Sequence, residues 1–285
     1  VLLTLQHLAV DGLSLSFGNA TLDQVARNAA GAAQVFGWKM PIYSGADRAI
    51  LGGVETAQHV LGTSGLPTRG ATLPAPFADF APALPALTAW LTTKTDAQIL
   101  ALGPLTNLAA LALSTPHLLR HIESITWMGG ARARGNHTSS AEFNAFADPE
   151  ALSILLARNV PIRMVDLEAC RRVEITESDV KAVHCGPNPL ADLLGDLLGG
   201  YLDIALSRGR RAMALYDPVA AAALVRPDLF SVDPARLDVE LSGQHNRGRT
   251  IVDQHYTQKA NATLITDLDA NAVRTLCLSP LIGTR

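Results

Sequence analysis

A doubly wound α/β fold, with helices on both faces of a mostly parallel open sheet, is the fold class this sequence predicts. Short apolar runs of strand length alternate along the chain with longer stretches of helical spacing. Two of those helical stretches open on Asp followed by Pro, a pairing that starts helices. The chain of 285 residues is 48% hydrophobic and 17% charged, which suits a large buried core rather than a disordered segment.

The first strand is expected at 12–17 ("GLSLSF"), followed by a helix over 20–37 with Asn19 as a possible N-cap. A strand at 97–102 ("AQILAL") precedes a helix at 104–113 with Pro104 at its first position. The run 97–119 has no charged residue, but Gly103-Pro104 breaks it, so a buried strand, turn and helix fit better than a membrane span. Next come a strand at 124–128 ("SITWM"), a helix at 148–158 capped by Asp148 and a strand at 161–167 ("PIRMVDL"). Helical spacing covers 189–211, and "DPVAAAALV" (217–225) reads as a helix. Strands at 236–243, 247–253 and 262–269 and a last helix complete a Rossmann-like order. The Pro/Ala stretch 74–87 is expected as a surface excursion, not a domain boundary, so residues 1–285 read as a single domain.

In such sheets ligands bind beyond the carboxyl ends of the strands. Asn19, Leu102–Gly103, Met128–Gly130 and Asp166 all fall at or just after expected strand ends, which would line one crevice.

The formal charge of −3 offers no basic field for a nucleic-acid polymer and no polybasic segment for a membrane surface. Cys170, Cys185 and Cys277 are scattered and read as thiols of a reducing, cytoplasmic compartment. A serine hydrolase is disfavoured because no G-x-S-x-G elbow occurs.

The segment "SSAEFNAFADPEAL" (139–152) holds Glu142 and Asn144 two residues apart, just before a helix start. Together with "GPLTNLAALA" (103–112), "WMGGARARGNHTSSAEFNAFADPEA" (127–151), "YDPVAAA" (216–222) and "RGRTIVD" (247–253), it resembles the calcium-dependent nucleoside hydrolases, inosine/uridine-preferring enzymes, in order and spacing from about residue 11 onward. The resemblance implies hydrolysis of the N-glycosidic bond of ribonucleosides to ribose and free base. It also implies a calcium-bound water, an oxocarbenium-like transition state, a place in purine and pyrimidine salvage, and a homo-oligomer, dimer or tetramer.

By that resemblance Glu142 and Asn136 would bind the outer ribose hydroxyls. Asn144 would sit by the 2′ and 3′ hydroxyls and steady the developing positive charge. Asn19 matches a ribose-binding asparagine and Met128 a wall of the ribose pocket. Asp217 and the carbonyl of Leu102 match calcium ligands, and Tyr216 stands where the family often has a catalytic His. Each residue also has a plainer reading: Asn144 a turn residue, Asn136 a loop residue, Asn19 a helix cap, Asp217 an N-cap before Pro218.

The chain also departs from the family. The acidic signature DTDPGxDD, on the family's first strand, occurs nowhere in it, and Asp11 is misplaced to substitute. Calcium takes about six to eight oxygen ligands, so Asp217 and Leu102 leave its shell short. The opening "VLLTLQHLAV" aligns with the end of the family's first helix and lacks an initiator Met, so the sequence is expected to be N-terminally incomplete. Leu61 in "LGTSGL" replaces another family His, with His59 two residues earlier, and core packing is expected for Tyr201. A longer parent protein is expected to be an active hydrolase and this chain inactive or only poorly active; the alternative is a non-catalytic relative of the same fold that binds a nucleoside or ribose or serves as a scaffold.

Overall fold

The computed structural model describes residues 9–253 and 259–283. The helix end expected at the start of the chain lies outside the described residues. β1 (Leu13–Ser14), α1 (Leu22–Phe36), β2 (Ile42–Tyr43), α2 (Gln58–Leu61) and α3 (Ala83–Thr93) precede β3 (Ala97–Ala101), α4 (Thr106–Ser114) and β4 (Ile122–Met128). Then come α5 (Phe143–Ala147), α6 (Pro149–Ala157), β5 (Ile162–Val165), α7 (Leu167–Cys170), β6 (Glu174–Ile175), α8 (Glu177–His184), α9 (Ala191–Leu206) and β7 (Met213–Ala214). The chain continues through α10 (Asp217–Val225), β8 (Phe230–Val239), β9 (Thr250–Asp253), β10 (Ala262–Leu268) and α11 (Ala270–Ile282).

Six strands form the main sheet in the order β3-β4-β5-β10-β8-β9. β3, β4, β5 and β10 run parallel, with Ile99 opposite Ile125, Trp127 opposite Met164 and Ile162 opposite Ala262. β8 and β9 extend the sheet antiparallel. Alternate side chains enter opposite cores, as the period of a strand requires. Ile125, Trp127, Ile162, Met164 and Leu264 pack with residues of α4 and α6 on one face. Met128, Val165 and Ile265 pack with residues of α7 to α11 on the other. The doubly wound α/β expectation is met.

Several boundaries differ from expectation. The first strand contributes only Leu13–Ser14 to a ladder and pairs with β2, not with the main sheet. What joins that ribbon to the sheet's helices is Asn107 on α4: its Nδ2 donates to the Leu15 carbonyl at 2.8 Å and its Oδ1 accepts from the Ala46 amide at 2.8 Å. Gly45 permits the approach, since a Cβ there would lie 2.1 Å from the Leu15 carbonyl oxygen. Pro104 lies outside α4, whose N-cap is Leu105. The Pro/Ala stretch is only partly an excursion, because α3 begins inside it at Ala83. The β6–β7 ribbon and α8 were not foreseen: the strands have two residues each, too short for a periodic signal.

Candidate active site

The Glu142–Asn144 pair is organised by a helix start. Glu142 has an extended backbone and is the N-cap of α5. Its Oε1 accepts from the Asn144 amide at 2.8 Å, and its Oε2 from the amides of Ala145 at 3.0 Å and Gly130 at 2.9 Å. With 1% exposure, the carboxyl has its pKa pushed up to about 7 by burial, against the pull of those three N–H donors and with a further push from the Asp217 charge. Its backbone partner comes from "WMGG", where both glycines are sterically required. A Cβ on Gly129 would lie 2.1 Å from the Trp127 ring, and Gly130 has a φ of 78° with Met164 Sδ 2.8 Å from where a Cβ would sit.

Asn144 Nδ2 donates to the Met128 carbonyl at 2.9 Å and lies 3.7 Å from Met128 Sδ. Its Oδ1 has no hydrogen-bond partner among the described residues. Asn136 Oδ1 accepts from the Phe143 amide at 2.9 Å, tying the preceding loop to the same helix start. Its Nδ2 also has no partner among the described residues. Glu142, Asn144, Met128 and Asn136 therefore form one bonded unit; Asn144 lies on α5 and is not a turn residue, while Asn136 is a loop residue, as its plainer reading held, with its side chain bonded to the helix start.

Asp217 is the first residue of α10, and the N-cap is Tyr216, so Asp217 is not an N-cap as its plainer reading held. Its carboxylate accepts no hydrogen bond among the described residues, and burial pushes its pKa up to about 7. Tyr216 is half-buried, its phenol raised by that burial. Tyr201 donates to the Ala214 carbonyl at 2.8 Å and packs against the second core, as expected. Asn19 is exposed and is not a helix cap: α1 begins at Leu22 with Thr21 as N-cap. Leu102, 41% exposed, follows β3. These two segments adjoin, since Cβ atoms on Gly18 and Gly103 would lie 3.4 Å from Pro104 Cδ and 3.3 Å from Ser16 Oγ. Neither Asn19 nor Leu102 is hydrogen-bonded to the Glu142–Asn144 unit.

Asp166 does not face a ligand crevice. It is fully buried, caps α7 through the Ala169 amide at 2.9 Å and pairs with Arg132. That pair, with Arg132 N donating to Glu168 at 2.7 Å, holds the loop after β4 in place. Thr250 of "RGRTIVD" holds the same loop, its Oγ1 donating to the Ala131 carbonyl and accepting from its amide, both at 2.9 Å. The sequence had no signal for His137, whose ring sits 4.3 Å from Phe146, 5.5 Å from Phe143 and 6.3 Å from His59, with Glu55 3.6 Å from its Nε2.

The donor set fits calcium only in part. The Asp217 carboxylate lacks a partner and would be relieved by a cation, yet the described residues contain no group of three or more His, Cys, Asp or Glu placed to hold a metal. Those residues do not make a calcium site by themselves.

The sequence matches the model of the inosine-uridine preferring nucleoside hydrolases over residues 1–275. It is 33% identical over 265 residues to the pyrimidine-specific ribonucleoside hydrolase RihA of Shewanella woodyi, covering 90% of this chain and 84% of that one. The RihA of Citrobacter koseri is 33% identical over 273 residues, covering 92% and 86%. In structure the chain resembles a plant nucleoside hydrolase, with a TM-score of 0.88, 23% identity and 96% and 91% of the two chains covered. A purine-preferring ribonucleoside hydrolase from Gardnerella vaginalis gives a TM-score of 0.88 at 23% identity, covering 97% and 91%; both likenesses bear on the fold alone. The chain belongs to the inosine-uridine preferring nucleoside hydrolase family.

Proposed function

We propose that this chain hydrolyses the N-glycosidic bond of ribonucleosides, giving ribose and the free base. The observation that carries this reading is the Glu142–Asn144 unit. Glu142 Oε1 accepts one backbone bond and retains acceptor capacity, and the Asn144 Oδ1 beside it has no partner. Two sugar hydroxyls, one donating to each oxygen, would complete both groups. The three N–H donors on Glu142 hold its carboxylate in one orientation before substrate arrives, so little ordering is left for binding.

In the transition state positive charge develops on the sugar and negative charge on the departing base. The carboxylates of Glu142 and Asp217 and the Asn144 carbonyl oxygen would stabilise the first. Tyr216, kept protonated by burial, would donate a proton or hydrogen bond to the base. Asn19, Asn136 and Met128 complete the sugar-binding set in this reading. When bound, calcium would supply a Lewis-acidic hold on ribose hydroxyls and on the attacking water. Asp217 and the Leu102 carbonyl would hold it, and these two ligands fall short of the roughly six to eight oxygens that calcium takes. The reading takes residues 1–285 as one domain of a cytoplasmic homo-oligomer acting in nucleoside salvage. The names of the RihA relatives favour pyrimidine bases.

Ribose release by the purified chain from uridine, cytidine, inosine and adenosine, with calcium and with a chelator, tests this. Release that is fastest on the pyrimidines is expected, and suppression by the chelator would mean that ligands besides Asp217 and Leu102 hold calcium. Ribose or nucleoside binding without release on any substrate favours the non-catalytic alternative.

A further inference from the structure

A cleft of about 200 Å³ adjoins the Glu142–Asn144 unit, and Asn136 and Tyr216 belong to its walls. Twelve residues line it, among them Arg134, Arg171, Arg208 and Arg210, and none is Asp or Glu. This is unusual for a chain with 26 acidic and 23 basic residues. The arginines come from separate parts of the fold. Arg134 lies on the loop between β4 and α5, and Arg171 follows α7. Arg208 and Arg210 sit on the turn after α9, closed by their amides donating to the Ala205 carbonyl at 3.0 Å each, with Gly209 between them at a φ of 71°.

Arg171 already has work: it donates to the Arg134 and Gly135 carbonyls at 2.7 and 3.0 Å and pairs with Glu168 at 3.1 Å. The guanidinium groups of Arg134, Arg208 and Arg210 have no ion pair or hydrogen bond among the described residues. Elsewhere on the surface Arg69, Arg172, Arg226, Arg236 and Arg274 each hold a carboxylate. Like charges drawn from two loops to one concave, carboxylate-free surface repel unless an anion enters, and guanidinium groups bind oxyanions in bidentate geometry. The hydroxyls of Thr138 and Ser139 and the free Nδ2 of Asn136 add neutral donors on the same wall.

We propose that this cleft is a subsite for an anionic group, phosphate or carboxylate, carried by the nucleoside whose sugar occupies the neighbouring site. The inference rests on the nucleosidase reading for the position of the sugar, with its outer hydroxyl at Asn136. Two sources supply the charge: a phosphate on the sugar's terminal hydroxyl, or an acidic substituent on the base beside Tyr216.

Isothermal titration of the full chain separates them. Ribose 5-phosphate is compared with ribose, and orotate (uracil 6-carboxylate) with uracil, on the wild type and on an Arg208→Ala/Arg210→Ala variant. At least one charged ligand binds about tenfold or more tighter than its neutral parent, an advantage that the variant and high salt both remove. The pair showing the advantage identifies the source. Equal binding of charged and neutral ligands, or an advantage that survives in the variant, overturns the subsite. Uridine hydrolysis by the same preparations tests the nucleosidase reading separately. Ribose release without any charge preference in binding rejects the subsite alone. Arginine-dependent anion binding without ribose release rejects the nucleosidase reading alone.

Discussion

Glu142 shows how one carboxylate can serve both fold and function. It caps α5, fixes Gly130 and keeps acceptor capacity on Oε1, which the proposed sugar site would use. The fold raises its pKa from 4.5 to about 7, mainly by burial. A carboxyl raised in the folded state stabilises the fold fully below its unfolded pKa, and that contribution is lost as pH rises through the folded pKa. Urea midpoints of the ligand-free chain should therefore fall between pH 5 and pH 8, by on the order of 3 kcal/mol at most for this group. Glu142→Gln should be less stable at low pH, because its amide nitrogen cannot accept the backbone N–H bonds, but its stability should change less across that interval. A wild-type slope unchanged in the variant would assign the pH dependence elsewhere. The Glu–Asn spacing was legible in the sequence. The three donors that orient the carboxylate were not, since one of them, Gly130, lies twelve positions earlier and reaches it only through the strand-end turn.

At the scale of elements, two buried polar side chains on neighbouring elements have opposite status. Asp148 caps α6 through the Ala151 amide at 3.1 Å, as "DPEAL" announced. It also accepts from Thr106 Oγ1 at 2.6 Å and the Ile50 amide at 3.0 Å, joining three segments. Asp148→Ala leaves all three donors without their acceptor and should cost ~3 kcal/mol in urea denaturation. Thr126, in the middle of β4 and fully buried, has a hydroxyl without a hydrogen-bond partner. Thr126→Val keeps the shape and removes the desolvated group, so it should stabilise by ~1 kcal/mol. A loss of stability would mean that the hydroxyl has a partner in solution. The helix cap at Asp148 could be read from sequence because capping is local. The true caps of α1 and α10, Thr21 and Tyr216, could not: neither side chain makes a capping bond, so no local chemistry marked them.

Across the whole molecule, the sequence conveyed the layer order and the parallel centre of the sheet because buried parallel strands leave continuous apolar runs. It did not convey that β1 would leave the main sheet for a ribbon with β2. That depends on Asn107 bridging residues 15 and 46, a contact across 92 and 61 positions. The same limit hid the arginine cleft, whose walls come from loops separated by about a quarter of the chain, and the His137 ring cluster. The family resemblance singled out Met128, Asn136, Glu142 and Asn144, which the structure brings into one bonded unit, and the proposal is that this unit grips the sugar of a nucleoside as it is cleaved. The most direct test is kcat/KM for ribose release from uridine, with calcium, by the wild-type chain and by Asn144→Ala. The account predicts release by the wild type and a loss of at least ~100-fold, about 2.7 kcal/mol of transition-state stabilisation, in the variant. Equal rates in the two proteins, or no release by the wild type, would contradict it.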